Sequence, residues 1–457
     1  MQATTRSFWT VRNGDALVAA IAGFVLIYLF TRHSGIGVSP DSVTYLSVAS
    51  NIHDSGAWID FHGDPLIDFP VLYPFFLSVV QWLTHLNCLQ SAPVVNGLLF
   101  AALIYFFGWL IQGSSFPSKI YKWTLLALAV TSPCLLEIYS MLWSETVFLL
   151  LLISFFHFLH RYFLLGSTRI LIIAGLVAGL AFITRYAGIT LIGTGGLLIL
   201  YNREAVPGPG SALAKKLRGL LIFGSIACVF PLINLLHNKL AGGALIGNRE
   251  KGIASFGSNL HDLGSVFCDW LHIPNDRYLL ASLIGLGWIL LFLAVFILRL
   301  ARKKSLSSYE HIAIGFFIVY AVFILTSATV SRFQTLDSRL LSPLFIPWLW
   351  GTLSMIEEWM SSRRPGLRKA FILPVVLAMA LFLAGQLLTD RGNWEDIKDS
   401  GIPGYTDDDW RGSETMALAR GNIVLHVAPA LYSNAYDALW FLGRIRADLL
   451  PHKDSPA

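Results

Sequence analysis

The stretch "LVAAIAGFVLIYLFTRHSGIGVSPDSVTYLSVAS", residues 17–50, runs from an uncharged apolar segment into a polar, helix-forming one. About 20 predominantly apolar residues in a helix cross the hydrocarbon core of a bilayer. The first half of the stretch therefore reads as part of a membrane span, near 16–31. Similar runs recur near 91–112, 120–136, 144–162, 169–184, 187–201, 219–236, 278–298, 311–330, 341–358 and 370–388. The fold class expected is an all-α polytopic membrane protein of about eleven transmembrane helices.

Composition agrees. The 457 residues are 55% hydrophobic and 13% charged, where soluble domains carry about 25% charged residues. The mean hydropathy is +0.62. The 14 Trp and 15 Tyr suit anchoring at the membrane interface. Basic residues form short clusters between apolar runs and no stripe, which excludes a nucleic-acid partner. Cys88, Cys134, Cys228 and Cys268 form no CxxC pair and no metal-ligand spacing, so they read as unpaired small hydrophobes. "MQATTRSFWTVRNGD" precedes the first span. No small-residue cleavage site follows it, so it is read as a retained span, not a signal peptide. "PVLYPFFLSVVQWLTHL", 70–86, is short, opens on prolines and carries polar residues; an interfacial or re-entrant helix is expected there.

Charge sets the orientation. With the N-terminus in the cytoplasm, 18 of the 33 basic residues fall in short cytoplasmic segments, among them Arg299, Arg302, Arg363 and Arg364. Only Asp15, Glu204, Glu310, Glu357 and Glu358, of 28 acids, fall there. Lys and Arg in short loops orient a membrane protein, and this bias places the C-terminus outside the cytoplasm. The long outer segments are then 32–90, 237–277 and 389–457. Residues 1–388 read as the transmembrane domain. Residues 389–457 read as a small extracytoplasmic α/β segment: helix in "GSETMALARG", strand in "NIVLHVAPALYSN", helix in "AYDALWFLGRI".

In the opening stretch, Ser39 suits an N-cap, Pro40 the first helical position, and Asp41 the first turn. The helix is amphipathic and stops at Gly56. An acid in a first turn is explained by the helix dipole alone, at about 0.3–1 kcal/mol. Spacing therefore leaves Asp41 as a helix-start residue or as a chemical group at the bilayer edge.

Several short motifs recur in a meaningful order: "SPDSVTYLSVASNI" after the first span, "GAWID" and "DFPVLYPFFLSVV" in the same loop, "MLWSETVFLLLL" at the fourth span, "GLAFITRYAGI" between the fifth and sixth, "DSRLLSPLFIPWL" at the tenth and "LYSNAYDALWFL" in the tail. In these the chain resembles membrane glycosyltransferases of the GT-C superfamily, nearest to bacterial proteins related to protein O-mannosyltransferases and lipid A aminoarabinose transferases. The resemblance implies transfer of a sugar from a polyprenyl-phosphate donor to a lipid, glycan or protein acceptor, outside the cytoplasm and with inversion. It implies a multi-pass protein of the bacterial inner membrane. It also implies that an aspartate in the first outer loop is catalytic, a place that Asp41 occupies. Some members carry two adjacent acids there; this chain has Asp41–Ser42.

Such a reaction needs a carboxylate to orient the acceptor and take its proton, and cations to hold the departing phosphate. Arg185 sits in an outer turn, as a snorkelling anchor or as a phosphate ligand. Arg332 and Arg339 flank Asp337, as a capping salt bridge or as a phosphate clamp in which Asp337 orients an arginine, Arg339 being favoured over Arg332. Glu145 is a first-turn acid or a second acid facing the cavity. No cofactor is required by any motif, and no residue spacing supports a divalent metal. There is no glycine-rich loop in a strand–turn–helix context for a nucleotide-sugar donor. A polysaccharide ligase or polymerase would call for a large Arg- and His-rich late outer loop. A secondary transporter would call for related halves with charge at mid-membrane. The sequence shows neither.

The orientation is directly testable. A reporter fused after residue 457 should be active only outside the cytoplasm, and one inserted near Arg302 only inside it. A cytoplasmic C-terminal reporter overturns the eleven-span topology.

Overall fold

The computed structural model describes residues 13–116, 118–201, 211–247, 251–302, 305–331, 335–422, 425–426 and 430–450. Within them the chain is a helical bundle. Helix α1 is Gly14–Phe30, α2 Pro40–Ser55, α3 Leu72–Thr84 and α4 Cys88–Ile111. Then follow α5 Lys119–Val130, α6 Pro133–Ser140, α7 Glu145–Leu165, α8 Thr168–Thr184 and, after a 3-10 turn Tyr186–Gly188, α9 Ile189–Tyr201. The second half holds α10 Ala212–Gly242, α11 Phe256–Leu271, α12 Tyr278–Ala301, α13 Tyr309–Val330, α14 Ser338–Ser361 and α15 Pro365–Ser400.

Every apolar run becomes helix, yet not every helix is a full span. Six, namely α4, α7, α10, α12, α13 and α15, are long and apolar enough to cross a membrane; α5 with α6, bent by 48°, makes a seventh if counted as one. The expected eleven are not reached by that measure. Helices α1 and α8 have 17 residues each and α9 has 13. At about 1.5 Å per residue, 17 residues give roughly 25 Å against a core of about 30 Å. Helix α14 has 24 residues but carries Pro343, Pro347, Glu357 and Glu358, which dilute its apolar character. The chain is a multi-pass membrane protein in which shorter helices complete the bundle around the long ones.

Close packing uses small residues where there is little hydrophobic drive between helices in lipid. Gly175 and Gly179 on α8 let α10 approach until a Cβ at either would press on the carbonyl of Phe223 or of Ala227. Helices α10, α12 and α15 bury little of their apolar windows, 28%, 22% and 11%, so their remaining sides face lipid. All four cysteines are free.

The functional end of the bundle is built from breaks in helices. Beyond α1 the chain turns at Gly35, then Gly37 pairs in parallel with Met141 in the break between α6 and α7. Its N–H donates to Ser140 O at 2.9 Å, and Leu142 N–H donates to Gly37 O at 2.9 Å. A Cβ at Gly37 would meet the Met141 sulfur and an Ile402 methyl. Asn96 of α4 locks the same break, with Nδ2 donating to Tyr139 O at 3.0 Å and Met141 O at 2.8 Å.

Helix α2 begins and ends where its sequence says, at Ser39 and at Gly56 with φ of +72°. It is not amphipathic in the way expected. Ser42, Val43 and Tyr45–Ala49 are all buried, covering both faces. Helix α3 covers one side, with Tyr73 and Leu77 buried and Phe75, Trp82 and Leu83 exposed. The segment after α15 covers another: Tyr405 N–H donates to Val38 O at 2.8 Å, and Thr406 Oγ1 to Ile36 O at 2.9 Å.

The tail differs from the expected α/β unit. Helix α15 runs on past 388 to Ser400, followed by α16 Asp408–Arg411, α17 Glu414–Gly421 and α18 Tyr436–Gly443. The strands are a single parallel pair of two residues each, β1 Tyr432–Ser433 with β2 Asp448–Leu449. Of the strand expected at 422–434, residues 423–424 and 427–429 lie outside the described residues. A segment with so little sheet holds by docking, through Tyr405, Tyr436 and Trp440 packed on the α2 side of the bundle.

Replacing Asn96 by Leu removes both donors and leaves two buried carbonyls without partners. The variant should lose about 2 kcal/mol of stability, seen as a lower unfolding temperature in detergent, whereas Asn96→Gln should lose less.

Candidate functional site

Four of the side chains singled out in the sequence meet in one place. Asp41 comes from the first turn of α2, Glu145 from the first residue of α7, Arg185 from the end of α8, and Arg339 from the first turn of α14. Local rules put each at a helix end. Ser39 N–H donates to Ser42 Oγ at 3.1 Å, which closes the start of α2. Arg185 sits in extended backbone (φ −149°, ψ 137°) between α8 and the 3-10 turn. Asp337 caps α14, accepting from Leu340 N–H at 2.9 Å.

Arg339 is the hub. Its Nη2 donates to Asp41 Oδ2 at 2.6 Å, and its Nε donates to Glu145 Oε1 at 2.7 Å. Its guanidinium lies 4.2 Å from the centre of the Trp143 ring, a cation–π contact. Arg185 forms an ion pair with the same Glu145 oxygen, and its Nη1 donates to Ser144 Oγ at 3.1 Å. Glu145 has no solvent exposure at all, and Arg185 and Arg339 are 14% and 12% exposed. Asp41, at 29%, is the open member of the four. Burying one carboxylate between two guanidiniums is tolerable because each charge has a charge-assisted partner.

Second contacts fix the first. Trp143 Nε1 donates to Ser39 Oγ at 2.9 Å, and Ser42 Oγ donates to Leu142 O at 2.9 Å. One ring thus links Arg339 to the start of the helix that carries Asp41. Tyr45 OH and Ser144 Oγ lie 3.4 Å apart. Burial, with the nearby Asp41 and Glu145 charges adding, raises the Tyr45 phenol well above its ordinary pKa and keeps it protonated.

Asp41, Tyr45, Ser144, Arg185 and Arg339 line a cavity of 320 Å³ with Asp68, Tyr186, Tyr320 and Asp337 on its walls. The Arg185 Nε–H is buried and has no hydrogen-bond partner among the described residues. Burial raises the Asp337 carboxyl above the ordinary value, offset by its bond to Leu340 N–H. Among the described residues, Arg339 is oriented by Asp41 and Glu145, while Asp337 serves the helix start. Arg332 lies outside the described residues. A second cavity of 750 Å³ is lined by Trp143 with Phe30, Trp270, Phe345 and the acids Glu137 and Asp269. Among the described residues no three His, Cys, Asp or Glu side chains are placed to share a metal ion.

Trp143, Ser144 and Tyr45 were not singled out in the sequence. Trp143 and Ser144 directly precede Glu145 in "MLWSETVFLLLL". The only signal for them was that adjacency.

No family model and no curated protein matches the chain. Solved structures do. ArnT from Cupriavidus metallidurans in the apo state superposes with a TM-score of 0.56 at 12% identity, covering 97% of this chain and 87% of that one. ArnT bound to undecaprenyl phosphate gives 0.55 at 13% identity, covering 96% and 86%. The archaeal oligosaccharyltransferase AglB from Archaeoglobus fulgidus, in complex with an inhibitory peptide and a dolichol-phosphate, gives 0.53 at 14% identity. This last match covers 96% of this chain and 64% of AglB. The chain therefore has the fold of these enzymes, and the GT-C resemblance read in its motifs holds for the fold.

Glu145→Gln would leave two buried guanidiniums sharing a neutral amide. A loss of about 3 kcal/mol is expected, measured by chemical unfolding in detergent. In a double-mutant cycle with Arg185→Gln the two losses should be strongly non-additive.

Proposed function

We propose that this chain is an integral-membrane glycosyltransferase. It moves a sugar from a polyprenyl-phosphate donor to a lipid, glycan or protein acceptor on the extracytoplasmic face, with inversion. The observation that carries this reading is the cluster of Asp41, Glu145, Arg185 and Arg339, from four separate helices, of which Asp41, Arg185 and Arg339 line one cavity at a bundle end. The fold shared with ArnT and AglB, whose solved structures include bound polyprenyl phosphates, supports it.

In this reading each side chain has one task. Arg185 and Arg339 bind the donor phosphate and stabilise its charge as it leaves. The Arg185 Nε–H supplies a donor that nothing else uses. Glu145 touches neither substrate; it holds both guanidiniums in place. Asp41, exposed to the cavity, orients the acceptor hydroxyl or amine and takes its proton while the acceptor attacks the anomeric carbon and the C–O bond to phosphate breaks. Asp337 fixes the turn of α14 from which Arg339 projects. The second cavity gives the other substrate room, with apolar rings and carboxylates in its lining. The bacterial inner membrane is the proposed location.

Purified protein in lipid, given a panel of labelled polyprenyl-phosphate sugars with membrane extract as acceptor, should transfer label to product. Asp41→Asn should lower the rate by about a hundredfold or more. Arg339→Lys should also be impaired, because a point charge replaces a planar fork. Unchanged transfer by Asp41→Asn would remove Asp41 from the chemistry.

A further inference from the structure

Of the proposed phosphate ligands, Arg339 is already engaged on one edge. Arg339 Nη2 is held by Asp41 at 2.6 Å and Nε by Glu145 at 2.7 Å. Two guanidiniums and two carboxylates cancel, and Asp337 also stands on the cavity wall. A phosphate that is to take the Nη2 edge of Arg339 thus meets an occupied donor, and the carboxylate on it has to give way.

The contacts on Arg339 differ in how readily they can be broken. Glu145 is fully buried and also bound to Arg185, so its withdrawal would leave a carboxylate unpaired in a dry site. Trp143 is pinned by its hydrogen bond to Ser39 and cannot move without the start of α2. Asp41 holds a single donor and is more exposed than Arg339, Glu145 or Arg185. Released, it keeps access to the cavity's solvent. Glu145 and Trp143 would meanwhile keep the guanidinium where it is.

We propose, on the basis of the glycosyltransferase reading, that Asp41 and the donor phosphate compete for the same edge of Arg339. The donor phosphate replaces the Asp41 carboxylate on Nη2, and the carboxylate so released is the one that receives the acceptor. The site is then self-ordering. Without donor the base is locked in an ion pair; with donor bound it is free beside the sugar. Trp143 becomes a positioning residue, because it holds Arg339 through the exchange.

The test is a binding measurement that needs no turnover. Wild-type protein in phosphatidylcholine nanodiscs is titrated with undecaprenyl phosphate and, as the uncharged control, undecaprenol. Wild type should prefer the phosphate. Asp41→Asn, which cannot compete, should bind undecaprenyl phosphate about tenfold more tightly, with undecaprenol unchanged. Asp41→Ser, a second variant without the charge, should show the same gain. Asp41→Glu, which keeps the charge, should stay within about twofold of wild type. A wild type that prefers phosphate, with Asn and Ser variants that bind it equally or more weakly, overturns the competition and leaves the phosphate site standing. No preference for phosphate in wild type or in either variant overturns the phosphate site and the competition together.

Discussion

A carboxylate with no exposure, wedged between two guanidiniums, is the constraint on which the rest of the site depends. Glu145 can be ionised inside the bundle only because Arg185 and Arg339 both reach it. The arginines are in turn brought in from the ends of α8 and α14, far apart in sequence. Removing Glu145 would leave the buried Arg185 without its ion pair, which costs several times what an exposed ion pair is worth. The trio therefore locks the relative positions of α7, α8 and α14 at the end of the bundle where the cavity opens. Asp41 attaches to this frame at its exposed side.

The frame needs irregular backbone, and membrane proteins tolerate that only where the polar groups find partners inside the protein. The break between α6 and α7 shows how this is done. Gly37 pairs with its backbone, Asn96 bonds two of its carbonyls, and Ser42 bonds a third. Met141 can then run extended, and the break presents Trp143 to Arg339. The same contacts draw the start of α2 against α7, which is why Asp41 and Glu145 lie on one guanidinium. The segment after α15 closes over this junction through Tyr405 and Thr406.

A fold shared at 12–14% identity with ArnT and AglB shows how little sequence such a bundle requires. Apolar helices exchange residues freely as long as they stay apolar, so likeness fades along the spans. Polar side chains at helix ends, by contrast, must meet particular partners. In this chain two spaces differ in character, one with two arginines on its wall and one, lined in part by Trp143, with apolar rings and carboxylates.

Much of the fold could be read from residue order. Every apolar run became helix, and Ser39, Pro40 and Gly56 marked the bounds of α2, because helix starts, stops and lipid solubility are local properties. The count of full spans was less legible, since α1, α8 and α9 are apolar yet too short, and their depth depends on neighbours. Burial of α2 on both faces was hidden too, because the covering residues come from α3, from the segment at 140–144 and from the tail. At the site, sequence singled out Asp41, Glu145, Arg185 and Arg339 one at a time, each with a plain structural explanation beside it. Only the tertiary structure decided that they share one cluster, that Asp337 caps a helix while Asp41 and Glu145 orient Arg339, and that Trp143 belongs with them. The physical reason is distance along the chain. Propensity and hydropathy act over a few residues, whereas Arg339 and Asp41, 298 positions apart, meet only when the whole bundle closes.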